Sequence, residues 1–108
     1  MRVYIDISVF SSPTESYGVI NGDMEMDVIP RVGESISFAF PINKEIMPLS
    51  ASWFLGALKV TDITHRPTSS GTSVLVCLEP VILTSIDQCK ALSDYMEKGF
   101  VLGTDEHQ

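Results

Sequence analysis

The sequence predicts a mainly β fold of the α+β class. It reads as a small antiparallel β-barrel of five or six strands with one C-terminal α-helix packed against it. Three observations carry this expectation. Apolar residues recur at every second position in several short runs, the period of a strand with one buried face. Clusters of Pro, Gly, Ser and Thr separate those runs. A single stretch, after Ser85, switches to helical spacing. Closure into a barrel is the common way for strands this short to hide their edges.

The elements follow in order. Residues 2–10 alternate strictly, with Val3, Ile5, Ile7 and Val9 on one face and Arg2, Tyr4, Asp6 and Ser8 on the other. Residues 11–18 read as a loop. The second strand runs from about Val19 to Ile29, with Met24, Met26 and Val28 inward, and Asn21-Gly22 marks a turn or bulge near its start. Pro30 to Glu34 is a connector in which Gly33 permits a positive φ. Residues 35–40 alternate again, with Ile36, Phe38 and Phe40 on one face until Pro41 stops them. Residues 42–52 are irregular, with one helical turn expected at Lys44 to Met47.

The next strand runs from about Trp53 to His65. Leu58 and Val60 share a face while Ile63 has the opposite parity, which calls for a bulge near Thr61-Asp62. After a hairpin loop at 66–71, residues 72–79 return with Val74, Val76 and Leu78 inward, and Val81 to Leu83 adds a short last strand. Ser85 and Gln88 form a capping box, opening a helix over about 85–98. Ile86, Cys89, Leu92 and Met96 make its apolar stripe, Gly99 is the expected left-handed cap, and Phe100 folds back onto Tyr95.

Length and composition bound the function. The 108 residues make one domain over 1–102, with 103–108 as a flexible tail. With 44% apolar and 19% charged residues and a mean hydropathy of +0.20, the chain has the material for a core and does not resemble a disordered one. Seven basic against fourteen acidic residues, a net charge of −7, speak against nucleic acid as a partner. No apolar run approaches the roughly 20 residues of a membrane span. Asp6 and Ser8 interrupt the N-terminal apolar run that a signal peptide needs, no lipidation motif is present, and two cysteines without a framework suit a reducing compartment, so a cytoplasmic location is expected.

Two stretches carry a resemblance. Pro30-Arg31-Val32-Gly33-Glu34, followed by Val60-Thr61-Asp62-Ile63-Thr64-His65 and Val74-Leu75-Val76-Cys77-Leu78, resembles small bacterial and phage SH3-like β-barrel domains, mostly uncharacterised. The likeness covers about residues 20–80 and implies the barrel, not an activity. The segment 41–52 and the helix depart from its minimal pattern.

No catalytic constellation stands out. Cys77 and Cys89 lack metal-ligand spacing, no Gly-rich phosphate loop is present, and no serine sits in a nucleophile elbow, so neither a metal nor a cofactor is expected. The distinctive feature is the stripe Asp23, Glu25 and Asp27, whose carboxylates repeat about every 6.6 Å along one strand face. A basic partner surface, or a cross-strand Lys or Arg, would offset their repulsion. Trp53 and Phe54, beside the irregular segment, are a second candidate contact or else cap the end of the barrel. The expected function is therefore a non-catalytic protein-binding module acting through Asp23, Glu25, Asp27, Trp53 and Phe54. The alternatives are an acidic inhibitor or decoy of immunity or anti-defence type, and a small-ligand binder or enzyme with its pocket at His65 and Arg66. An unprotected edge strand would also offer a second copy a place to pair.

Overall fold

The strict alternation near the N-terminus becomes β1 (Arg2–Ser12), and β1 lies in the middle of the sheet. In a computed structural model of the chain, which describes residues 2–49, 54 and 56–106, β1 turns through Pro13 and Thr14 into β2 (Glu15–Glu25). The remaining elements are β3 (Ser35–Ser37), β4 (Ala57–Thr68), β5 (Gly71–Leu78), β6 (Val81–Ile82), α1 (Ile86–Phe100) and β7 (Gly103–Glu106). The mainly β plan with one C-terminal helix is as expected.

The sheet has seven strands in the order β3-β4-β5-β1-β2-β7, with β6 also against β1. It does not close, so the barrel is corrected to an open sheet. Nor is it wholly antiparallel: β5 and β6 both run parallel to β1. The chain reaches β5 by one long crossover and β6 only two residues later, and alternation within a strand encodes neither.

One face of the sheet is buried. Val3, Ile5, Ile7 and Val9 of β1 meet Ile20 and Met24 of β2, Leu58 and Val60 of β4, and Val74, Val76 and Leu78 of β5. Helix α1 covers this face with Cys89, Leu92 and Met96, each fully buried. Ile86, counted on the same stripe, is instead 55% exposed, because the first helical turn overhangs the core. Ser85 caps the helix by accepting from Gln88 N–H at 3.2 Å, while Gln88 Oε1 accepts from Thr84 N–H at 2.9 Å. Phe100 packs edge-on to Tyr95, 5.7 Å between centroids, as expected.

The left-handed cap falls two residues later than Gly99. Val101 takes the left-handed conformation (φ 59°), and the N–H groups of Val101 and Leu102 bond Glu97 O and Met96 O. The Val101 bond is the 5→1 bond of an αL cap, and the residue after it, Leu102, is fully buried. Gly99 serves a different purpose. It lets Pro41 approach the helix, and Asn43 N–H then bonds Gly99 O at 3.1 Å.

Other expectations shift. The loop at 11–18 is mostly strand, with two register shifts near Phe10 absorbing the tight turn. β3 stops at Ser37, so Phe38 is buried while Phe40 is 82% exposed. Gly103–Glu106, expected as tail, pairs with β2 from Gly18 to Asn21. The bulge on β4 is present where parity demanded it, between Val60 and Asp62. No helix of the described residues is long and apolar enough to cross a membrane.

Candidate functional site

The face of the sheet opposite α1 carries the polar side chains. Register brings together residues far apart in sequence. Asp62 on β4 stands opposite Cys77 on β5, Cys77 opposite Asp6 on β1, and Asp6 opposite Asn21 on β2. Asn21 Nδ2 donates to Asp105 Oδ2 on β7 at 3.0 Å. Neighbouring strands lie about 4.8 Å apart, so Asp62 and Asp6 are about 10 Å apart across Cys77. Asp62, Asp6 and Asp105 thus form an acidic row that crosses the sheet, and none of them has an ion-pair partner among the described residues. Asp6 is half-buried, and its Oδ1 is shielded from water without a hydrogen-bond donor. Such a group carries a desolvation cost that a donor would remove.

The electrostatics register on the cysteines. Burial pushes the Cys77 thiol up, and the nearby carboxylates of Asp6 and Asp62 push it further. Cys89, on the buried face of α1, is raised by burial. Both are free thiols poorly suited to act as thiolates.

The expected stripe along β2 is only partly there. Arg2, across the β1–β2 pair, lies 2.7 Å from Asp23 Oδ2 and 3.6 Å from Glu25 Oε2. Its guanidinium holds Asp23 below the usual carboxylate range, first by the hydrogen bond and then by charge. Asp27 falls in a bend beyond the end of β2, and Val28, expected inward, is 74% exposed. The cross-strand cation is thus intramolecular for Asp23 and Glu25.

Phe54 is buried, with its ring 6.4 Å from that of Tyr95, so it belongs to the core and not to a contact surface. Trp53 lies outside the described residues. His65 is exposed near the end of the β4–β5 hairpin. Arg66 does border a hollow of about 310 Å³ on the outer face, with Tyr4, Ser73, Val74 and Leu75, but His65 is not among its walls. Among the described residues, no three or more His, Cys, Asp or Glu side chains gather as a metal site.

Sequence reasoning placed Asp6 on the polar face of its strand but did not connect it with Asp62 and Asp105. The row exists only through strand order and register, and nothing in a single sequence states which strands are neighbours. Comparison with family models, curated proteins and solved structures finds no match to this chain.

Proposed function

We propose that the chain is a non-catalytic protein-binding module, and that it engages a basic partner surface through the outer face of its sheet. The observation that supports this reading is the row Asp62, Asp6 and Asp105, carboxylates without an ion-pair partner among the described residues, on a face that no other described element covers. Lys and Arg side chains of a partner would neutralise the row. The net charge of −7 favours encounter with such a partner. An inhibitor or decoy would be the same contact made to a basic active site, and loss of the partner's activity on binding distinguishes it. The likeness of residues 30–34, 60–65 and 74–78 to SH3-like domains assigns no function in this reading.

The test is a nuclease-treated pull-down from the native cell, run beside the triple variant Asp6→Asn/Asp62→Asn/Asp105→Asn and repeated at raised salt. A basic protein retained by the wild type, lost with the variant and weakened by salt is the expected outcome. Binding indifferent to both changes rejects the reading.

A further inference from the structure

We infer that the hollow beside Arg66 receives the C-terminal carboxylate and the last, apolar side chain of the basic partner. The inference rests on the reading of the outer face as a surface for such a partner. Strand register lays that face out in three rows: Asp62, Cys77 and Asp6; then Thr64, Leu75 and Tyr4; then Arg66 and Ser73. Rows repeat about every 6.6 Å along a strand, so Asp62 and Arg66 mark two ends about 13 Å apart. One end is anionic and the other cationic. Between them lie the Leu75 side chain and the Tyr4 ring.

The hollow opens where β5 carries short side chains between longer ones. Arg66 on β4 and Tyr4 on β1 stand on either side of Ser73 and Leu75, and the space between them is about 310 Å³. Tyr4 is 46% exposed, and its hydroxyl donates to Asn21 Oδ1 at 3.4 Å, toward β2. Leu75 is half-buried, and the Val74 side chain turns to the core. Arg66 has no ion pair among the described residues. The other cation of this end, Arg2, is held by Asp23 and Glu25. Both ends act across the face: burial and the charges of Asp6 and Asp62 raise the Cys77 thiol, and the charge of Arg66 lowers it.

The chemistry of the occupant follows by elimination. A guanidinium without a partner, beside a hydroxyl, suits a carboxylate, which accepts two parallel N–H bonds from its fork. The hollow stands at the small end of the range of ligand sites, about 300–1,000 Å³, so it holds one apolar side chain with its carboxylate and not a large cofactor. A polyanion is opposed by the net charge of −7 and by the acidic row. A free amino acid carries both charges on one carbon and cannot reach both ends. A chain terminus can. In an extended tail, side chains two apart point the same way, with their Cα atoms about 6.6 Å apart. With the last residue in the hollow, a Lys or Arg two residues before it lies one row nearer the acidic end, and its stem carries the charge on to Asp62. The tail that fits therefore ends in a basic residue, any residue, and an apolar residue with a free carboxylate.

Amide NMR spectra of the full chain, titrated with the synthetic peptide acetyl-Gly-Ser-Gly-Lys-Ala-Leu with a free C-terminus, test this. The Tyr4, Ser73 and Leu75 signals shift. The same peptide closed by a C-terminal amide binds about tenfold more weakly. Arg66→Gln weakens the acid peptide to the level of the amide and leaves the amide peptide unchanged. Ser73→Glu fills the hollow with a like charge and abolishes binding of the acid. Both positions are exposed, circular dichroism checks each fold, and either variant alone decides the matter. Replacing the peptide lysine by glutamine weakens binding to the wild type but not to Asp62→Asn. Acid and amide peptides that bind alike overturn the inference; if lysine is still preferred to glutamine, the acidic row stands without it. A carboxylate preference with no lysine preference keeps the hollow and removes the row. N-acetylleucine bound as tightly as the peptide assigns the hollow to free acids and overturns the inference. So does the absence of binding by any peptide at its highest soluble concentration, and the pull-down then judges the row alone.

Discussion

Pro41 stands where a side chain on Gly99 would have to go: a Cβ built on Gly99 would lie 3.1 Å from Pro41 Cβ. Alanine normally gains about 0.5–1 kcal/mol over glycine inside a helix. Here Pro41 is held in place by the Asn43 bonds to Gly99 O and Lys98 O, so it yields little. Gly99→Ala is therefore expected to destabilise the fold by about 1 kcal/mol, overpacking exceeding the helix gain. Urea unfolding measures it, and an increase in stability would show that Pro41 moves freely.

Val101 makes the opposite prediction. It is β-branched, 80% exposed and left-handed at φ 59°. That conformation costs an L-residue about 1–2 kcal/mol, and glycine avoids the cost. Val101→Gly is expected to raise Tm by a few degrees, the gain being reduced by the greater freedom of glycine in the unfolded chain. A lower Tm would mean that the valine side chain makes contacts the cap depends on.

The helix start gives a third. Ser85 Oγ accepts the Gln88 N–H, a donor the helix cannot satisfy itself. Ser85→Ala is expected to cost about 1 kcal/mol, and Ser85→Asp to cost much less. Thermal melts followed at a helix wavelength separate the two.

Arg2 and Asp23 set a dependence on pH. Asp23 is held below its ordinary value of 3.8 in the folded chain by the Arg2 hydrogen bond and charge. A carboxyl depressed on folding adds stability above its unfolded value and loses that contribution as pH falls through its folded value. Arg2→Gln is thus slightly less stable than the wild type at neutral pH, and the gap closes as pH drops below 3.8. Both groups are exposed, so salt narrows the gap as well. A gap constant from neutral pH into acid would assign the effect of Arg2 to packing.

Cys77 reports on the acidic row. Burial and then the charges of Asp6 and Asp62 disfavour its thiolate. Asp62→Asn is expected to speed alkylation of Cys77 by iodoacetamide at mildly alkaline pH without changing Cys89, which burial alone protects. Mass spectrometry of the labelled peptides follows each thiol. An unchanged Cys77 rate would place Asp62 too far away to form a row.

Much of this fold was legible residue by residue. The alternation at Val3 to Val9 and Val74 to Leu78, the parity switch at Thr61, and Ser85 with Gln88 each encode a local geometry, and each appears. What depends on neighbours was hidden. Phe40 follows the apolar alternation, yet it lies past the end of β3 and faces solvent. Thr104 and Asp105 look like tail residues until β2 offers them an edge. The candidate site suffered most: Arg2 absorbs Asp23 and Glu25 only because β1 and β2 are in this register, and Asp62 and Asp6 share a row only because β5 separates them.

The central place of β1 has a consequence for how the chain is made. During synthesis residues 2–25 emerge before the rest of the sheet and can close their hairpin at once. The other neighbours of β1 begin at Gly71 and Val81, and the cover of its apolar face begins at Ile86. Until those residues follow, at about 5–20 residues per second, the hairpin stands with one greasy side bare. Its protection in that interval falls to the ribosome surface and to chaperones, and a pause in translation before residue 71 leaves it most prone to clump with its neighbours.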